Sequence, residues 1–222
     1  MNRFLIVGKQ ERSSVISSIK KINQVTQNRF LNMYNLDVLD KNGNPHLYHV
    51  ASRAQSAEDL KLATGTNHPD GVIIYALYGE KQDRVVLIRQ YRYSIGTYIY
   101  ELPAGLVDEG EDFHQAGIRE LKEETGLDFH PMEVDDIYSK PYFTTIGMTD
   151  ESCAAVYGTA TGTISREKLE DTEEIEVILA DRTEIRRILK KEHVSLMCAY
   201  QMMHFLHDDP EDPFAFLRNS AE

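Results

Sequence analysis

Short apolar runs separated by turn formers occupy the middle of the chain. Residues 72–78, 84–90 and 98–102 are rich in valine, isoleucine, leucine and tyrosine, and residues 79–83 contain the glycine and aspartate typical of a tight turn. Runs of this length predict strands in the core of a sheet. Pro103 follows the third run and predicts the end of its hydrogen-bonded ladder, because proline has no N–H to donate.

In the second half of the chain, predicted strands are followed by predicted helices. The strand-like segments are 133–140, 152–160 and 174–180, with a turn-rich loop at 142–151. Helical periodicity covers 183–191 and 194–206. Strands flanked by helices predict an α/β fold, in which a mixed sheet lies between helical layers as an α/β/α sandwich.

A β-hairpin is predicted ahead of this body. Residues 30–39 are extended in pattern, and residues 40–45, Asp-Lys-Asn-Gly-Asn-Pro, form a strong turn that leads into 46–51. We interpret the hairpin as an arm that precedes the main domain.

The chain therefore divides into an N-terminal segment with the hairpin arm, 1–69, and a main domain with C-terminal helices, 70–222. Within the first segment, residues 13–22 have loosely helical spacing, and the pattern leaves the role of residues 1–28 open.

An acidic helix is predicted between a glycine turn and Gly126. Negative charge at Glu111 and Asp112 favours a helix start, and Gly126 is a good left-handed terminator, so the helix has roughly four turns. Glu120 and Glu124 then lie one turn apart on the same face, where their carboxylates repel. A hard divalent cation between them would relieve this repulsion.

A bare pair of glutamates is more often a solvated helix face, with Arg119 and Lys122 as ordinary surface partners. The full spacing argues against that reading. The segment resembles the signature of the Nudix hydrolases: a glycine, five residues, a glutamate, seven residues, then Arg-Glu-aliphatic-any-Glu-Glu-any-Gly-aliphatic. The matching positions are Gly105, Glu111, Arg119, Glu120, Leu121, Glu123, Glu124, Gly126 and Leu127.

Composition narrows the classes of partner. The chain has 222 residues and a formal net charge of −12, which argues against a nonspecific nucleic-acid binder or a binder of acidic membranes. Cys153 and Cys198 are too few for a disulfide scaffold, and no apolar run approaches the length of a signal-peptide core or a membrane span. We expect a cytoplasmic protein.

Features outside the signature resemble the ADP-ribose pyrophosphatase branch of the family. The run Glu-Leu-Pro-Ala-Gly at 101–105 follows Arg-Gln-Tyr-Arg at 89–92, and Pro141 matches a proline associated with that branch. The loop 145–151 is similar to the branch's Ser-Pro-Gly loop and its following glutamate. It departs at Thr145 and Ile146, and Cys153 stands where some relatives carry a further acid.

The resemblance implies a Mg²⁺-dependent hydrolase, with Mn²⁺ as another metal and two or more ions. The implied metal ligands are the Ala104 carbonyl, Glu120, Glu123 and Glu124, of which Glu120 and Glu124 are also catalytic. It implies Glu151 as the general base, although an ordinary loop acid would look the same in sequence.

Other residues are expected to position the site or bind substrate. Glu111 and Arg119 lie about two helical turns apart and could pair, which would make them structural, as would Gly105 and Gly126. Arg92, and after it Arg89, are candidates to contact a substrate phosphate, with a surface arginine as the alternative.

The function expected from the resemblance is hydrolysis of the pyrophosphate bond of a nucleoside diphosphate sugar, first ADP-ribose to AMP and ribose 5-phosphate. The alternatives are another derivative, such as GDP-mannose or a dinucleoside polyphosphate, and a nucleotide-sugar sensor without turnover. The resemblance also implies a homodimer in which the hairpin exchanges between subunits, although a strand packed on its own domain is nearly as compatible.

Overall fold

The computed structural model describes residues 18–167 and 174–218. The chain divides into two compact units. The first comprises the described part of Met1–Thr66 together with Thr145–Asp150. The second comprises the described parts of Asn67–Thr144 and Glu151–Glu222.

The first unit contains a three-stranded antiparallel sheet. Its strands are β1 (Ser18–Gln24), β2 (Asn32–Leu39) and β3 (Pro45–Ser52), in the order β1-β2-β3. The predicted hairpin is β2 and β3, and is confirmed. The loosely helical spacing at 13–22 was misleading from residue 18 onward, where the chain is a strand; residues 13–17 lie outside the described residues.

One face of this sheet is apolar and buried. Tyr34, Leu36 and Val50 are at most 8% exposed, and the Tyr34 hydroxyl donates to the Ala54 carbonyl at 2.7 Å. A single helical turn, α1 (Lys61–Thr64), follows the sheet.

The second unit is built on a mixed eight-stranded sheet. Its longer strands are β4 (Gly71–Tyr78), β5 (Arg84–Arg92), β6 (Thr97–Glu101), β10 (Ser152–Thr161) and β11 (Ile175–Ala180). Its shorter ones are β7 (Ala104–Leu106), β8 (Asp128–Pro131) and β9 (Tyr142–Phe143). The central order is β11-β5-β4-β10-β8, with β6 on β5, β7 on β4 and β9 on β10. Only β4 and β10 pair in parallel among the described strands.

Helices cover both faces of this sheet. Alternate residues of β4 separate into two apolar clusters, because side chains of a strand point to opposite faces. Val72 and Ile74 pack with Leu121 of α2 (Phe113–Thr125), whereas Tyr75 and Leu77 pack with residues of α4 (Arg182–Lys191) and α5 (Leu196–His207). The expected α/β/α sandwich is confirmed.

One local expectation was wrong. Residues 133–140 were predicted to be a strand, but Asp136–Ser139 form one helical turn, α3, because the Asp135 side chain accepts a hydrogen bond from the Ile137 N–H and caps it. The ladder of β6 with β5 ends at Glu101, before Pro103, as predicted. The short strand that follows, in which Ala104–Leu106 pair with β4 as β7, was not predicted. A 3₁₀ turn at Ala215–Leu217 was not predicted.

In the part of the chain that the structure describes, every helix is too short or too polar to cross a membrane.

Candidate active site

Helix α2 begins and ends where the turn residues of the sequence place it. The Asp112 side chain accepts a hydrogen bond from the His114 N–H at 3.0 Å, which satisfies one of the unpaired donors of the first turn. Gly126 has a φ of 77° and donates to the Lys122 carbonyl, which ends the helix. The caps determine which residues face the sheet and which face the preceding loop.

Glu120 and Glu124 both contact the short strand β7. Glu124 is only 4% exposed, and its Oε2 accepts a hydrogen bond from the Ala104 N–H at 3.1 Å. The Glu120 carboxylate lies against Gly105, in the space that a Cβ at residue 105 would occupy. The two acids, one helical turn apart, therefore converge on the Ala104–Gly105 peptide.

Arg119 joins the helix to the loop before it. Its guanidinium forms a bidentate ion pair with Glu111, in which Nε donates to Oε1 at 3.0 Å and Nη2 donates to Oε2 at 2.9 Å. Nη2 also donates to the Leu106 carbonyl, and Nη1 donates to Glu120 at 2.7 Å and to Glu123 at 3.1 Å. One side chain thus connects β7, the loop and two acids of the helix.

The electrostatics of this cluster follow from the same contacts. The Arg119 hydrogen bonds hold the pKa of Glu111 below its ordinary value, because they favour the charged carboxylate. The hydrogen bonds that Arg119 donates to Glu111 and Glu120 raise the pKa of Arg119 further above its already high value. The arginine stays charged at any working pH.

The donor set suits a hard cation. Glu120, Glu123 and Glu124 offer carboxylate oxygens, the ligand type that Mg²⁺ prefers, and a glycine at 105 leaves room for one of them beside β7. In the arrangement of the described residues, no three acidic, histidine or cysteine side chains are grouped closely enough to hold a metal ion. Glu120 and Glu123 instead accept hydrogen bonds from the guanidinium of Arg119.

The sheet register brings Glu151 to the same end of the sheet. Glu151 directly precedes β10, whose Cys153 is paired with Gly71, and Gly71 is paired on its other side with Leu106 of β7. Because β7 and β10 flank β4, their backbones are roughly 10 Å apart, twice the spacing of neighbouring strands.

Glu151 is held at the base of its loop by Thr144. The Thr144 hydroxyl donates to Glu151 Oε2 at 3.0 Å, and the Thr144 N–H donates to the Glu151 carbonyl at 3.0 Å. No motif in the sequence pointed to Thr144. Its signal is visible only in the register of β9 and β10, where Phe143 is opposite Ser152.

The loop that precedes Glu151 belongs to the first unit. There the Ala51 N–H donates to the Met148 carbonyl, and the Tyr48 hydroxyl donates to the Gly147 carbonyl. Asp150 accepts from the Lys61 N–H, at the start of α1. Residues 145–150 are thus tied to the N-terminal sheet, whereas Glu151 itself belongs to the second unit.

The two candidate substrate arginines have partners within their own sheet. Arg89 packs its guanidinium over the Tyr98 ring at 4.1 Å and pairs with Glu176 at 3.4 Å. Arg92 donates from Nε to Glu101 at 2.6 Å, with its side chain about half exposed. The structure therefore shows surface ion pairs at both positions, and a role in substrate binding stays a prediction.

The arrangement of β7, the loop and α2 matches a known domain. Residues 67–199 match the family model described as the NUDIX domain, which is more than half of the chain. The chain belongs to the Nudix family. The fold agrees: a solved structure titled as an ADP compounds hydrolase superposes with a TM-score of 0.60 over 87% of this chain and 94% of its own, at 18% identity.

Named relatives of this Nudix protein include ADP-ribose pyrophosphatases. The chain is 28% identical over 125 residues to that of Saccharomyces cerevisiae, covering 54% of this chain and 50% of the relative. It is 30% identical over 94 residues to that of Bacillus subtilis, covering 39% and 50%. The methanol dehydrogenase activator of Bacillus methanolicus is 33% identical over 101 residues, covering 42% and 51%. The matches span about half the length of these relatives.

Proposed function

We propose that this Nudix protein uses Mg²⁺ or Mn²⁺ to hydrolyse the pyrophosphate bond of a nucleoside diphosphate sugar. We further propose that its preferred substrate is ADP-ribose, which it cleaves to AMP and ribose 5-phosphate. The observation that carries the proposal is the convergence of Glu120 and Glu124 on the Ala104–Gly105 peptide, with Glu151 across β4. Named relatives that are ADP-ribose pyrophosphatases support the choice of substrate.

Hydrolysis adds a water oxygen to one phosphorus, and the bond from that phosphorus to the bridging oxygen breaks. When bound, Mg²⁺ or Mn²⁺ supplies positive charge for the phosphate oxygens and makes a bound water more acidic. Two or more ions would be held by Glu120, Glu123, Glu124 and the Ala104 carbonyl. Glu120 and Glu123 would then exchange part of their contact with Arg119 for the ions, while Glu111 keeps the guanidinium in place.

Glu151 accepts the proton of the attacking water in this proposal. Glu151 lies at the end of a loop beside β10, whereas Glu120 and Glu124 project from α2. Glu151 would therefore approach the attacking water from a different side than Glu120 and Glu124 approach the phosphates. Thr144 restricts the rotation of the Glu151 carboxylate through its hydroxyl hydrogen bond. Arg92 is proposed to contact a phosphate oxygen through its guanidinium Nη atoms, with Arg89 as the second candidate.

A substrate panel tests the proposal. The purified protein is assayed with ADP-ribose, GDP-mannose and a diadenosine polyphosphate, each with Mg²⁺ and with a chelator. We expect metal-dependent release of AMP, fastest from ADP-ribose. A different fastest substrate would replace ADP-ribose in the proposal, and absence of turnover with all of them would refute hydrolysis.

Calorimetry with ADP-ribose separates catalysis from sensing. Tight binding without turnover would favour a nucleotide-sugar sensor, the alternative in which Glu120 and Glu123 stay paired with Arg119.

A homodimer is proposed as well. In the first unit, Ile19, Val25, Phe30 and Leu31 are between 45% and 56% exposed, close to β1, which is the outer strand of the sheet among the described residues. Exposed apolar residues beside the outer strand of a sheet favour association with another chain. Light scattering after size exclusion tests the stoichiometry, and a monomer mass at micromolar concentration would exclude the dimer.

A further inference from the structure

An apolar groove of about 210 Å³ opens on the face of the large sheet opposite α2. Tyr138 and Tyr142 line one side, Cys153 and Tyr157 of β10 form the floor, and Met197 of α5 closes the other side. None of its lining residues, all within the described part of the second unit, carries a charge at neutral pH.

The rim of the groove is unusually apolar for an exposed surface. Ile137 is 56% exposed, Tyr142 50% and Phe143 47%. Tyr142 is nevertheless held in place, because its hydroxyl donates to the Ile137 carbonyl at 2.9 Å and Lys140 lies over its ring at 5.3 Å. A preformed aromatic wall of this kind favours a flat apolar ligand over solvent.

Two residues that line the groove, Cys153 and Thr144, lie beside the two halves of the candidate active site. Gly71 has no side chain, and the Gly105 carbonyl oxygen and the Cys153 Sγ both lie within 3.3 Å of the point that its Cβ would occupy. At the other end, Thr144 lines the groove and donates its hydroxyl to Glu151. A nucleotide whose phosphates meet Ala104 and Glu151 therefore has its ribose near the mouth of the groove, and the base attached to that ribose is within reach of the groove.

We propose that this groove binds the nucleobase of the substrate, stacked against Tyr142 and lying over Cys153. This inference rests on the proposed function, and names the part of the nucleotide sugar that the groove selects. A phosphate or a hydroxyl-rich sugar would lose water there without gaining partners, whereas a base is flat and uncharged. The groove is smaller than the roughly 300–1,000 Å³ of pockets that enclose a whole ligand, so it receives one part only.

A second exposed aromatic cluster lies in the same unit. Tyr91 packs edge-to-face against Tyr93 and Tyr98, and Arg89 covers the Tyr98 ring. Of these rings Tyr93 is the most exposed, at 86%, and it provides a matched control for stacking.

Protection of Cys153 from alkylation tests the position of the base without relying on turnover. The chain has two cysteines, and Cys198 is fully buried, with burial raising the pKa of its thiol, so labelling of the folded protein reports Cys153. Adenosine, AMP and ribose 5-phosphate are compared, with Cys153→Ser as the blank. At a ligand concentration about ten times the dissociation constant, about a tenth of the sites remain open.

We expect adenosine and AMP to slow Cys153 labelling about tenfold at that occupancy, and ribose 5-phosphate to leave the rate within about twofold. Equal protection by ribose 5-phosphate would place the sugar in the groove and overturn the proposal. No protection by adenosine or AMP at any concentration up to their solubility would overturn it as well.

Steady-state kinetics with variants of Tyr142 provide the second test. Tyr142→Ala should raise KM for ADP-ribose about tenfold with kcat nearly unchanged, because stacking on a base contributes binding that does not depend on the reaction. Tyr142→Phe keeps the ring and should stay within about twofold of the parent, as should Tyr93→Ala. If Tyr93→Ala raises KM and Tyr142→Ala does not, the base lies on the tyrosine cluster instead.

The two proposals fail in different ways. Hydrolysis that persists without protection of Cys153 refutes only the groove assignment, whereas failure of the whole substrate panel refutes the proposed function.

Discussion

The Glu120 carboxyl carbon lies 1.9 Å from the position that a Cβ on Gly105 would occupy. No side chain at 105 is compatible with this placement of Glu120. The glycine is therefore required by a neighbouring carboxylate, since its own φ lies outside the left-handed region.

Replacing Gly105 tests this relationship. We expect Gly105→Ala to displace Glu120 and to lower kcat/KM for ADP-ribose about a hundredfold, since a displacement of about 1 Å in a catalytic group has effects of that size. Gly117→Ala on the same helix is the control, because its Cβ would meet Val156 at an ordinary 3.4 Å. Equal activity of the two variants would contradict the assigned position of Glu120.

Thr144 is predicted to position Glu151. A hydrogen bond to a charged group contributes roughly 1.5–3 kcal/mol, so Thr144→Val should lower kcat at least about tenfold with little change in KM. Thr144→Ser keeps the hydroxyl and should recover most of the rate. A Thr144→Ser variant as slow as Thr144→Val would show that the methyl group, and not the hydroxyl, is what matters.

The Glu124→Gln variant tests whether Glu124 is needed for metal binding and not only for folding. The amide oxygen of glutamine can still accept from the Ala104 N–H, so the melting temperature without metal should change by only a few degrees. Loss of the carboxylate charge should lower kcat/KM by about a hundredfold or more and reduce the increase in melting temperature that Mg²⁺ produces. Glu109→Gln, in the exposed loop before the helix, should preserve both properties. An unchanged Mg²⁺ effect in Glu124→Gln would remove Glu124 from the ligand set.

The Glu111–Arg119 pair predicts a pH dependence of stability. The pKa of Glu111 is lower in the folded chain than its ordinary value near 4.5, so its contribution to stability is present above that value. The contribution is lost as the pH falls through the folded pKa, because the protonated carboxyl no longer pairs with Arg119. Urea unfolding at about pH 6 and about pH 3 should show Glu111→Gln less stable than the parent at the higher pH, with a smaller difference at the lower pH. A difference that is the same at both values would mean that ionisation of Glu111 does not contribute.

Parts of the site were predictable because their physical causes are local. Asp112 caps the start of α2 and Gly126 ends it, each through a contact with a residue two to four positions away. The i to i+4 spacing alone puts Glu120 and Glu124 on one face. The hairpin of β2 and β3 was predictable for the same reason, because residues 40–45 are of types that favour a tight turn.

Other parts could not be predicted, because they depend on pairings between distant residues. Residues 133–140 were predicted to be a strand, yet one aspartate cap makes part of them a helical turn. The partners of Arg89 and Arg92, Glu176 and Glu101, are supplied by neighbouring strands.

The sequence by itself determined the Nudix signature, the limits of the acidic helix and the positions of most of the longer strands, because these depend on short-range spacing and turn residues. Only the tertiary structure decided that Ala104–Leu106 pair with β4, that Glu151 stands beyond the same strand, and that Thr144 supports it. It also decided that Tyr142 and Cys153, eleven positions apart, are opposite each other in the wall and floor of one groove. The physical reason is that strand register brings together residues whose separation along the chain carries no signal of their proximity.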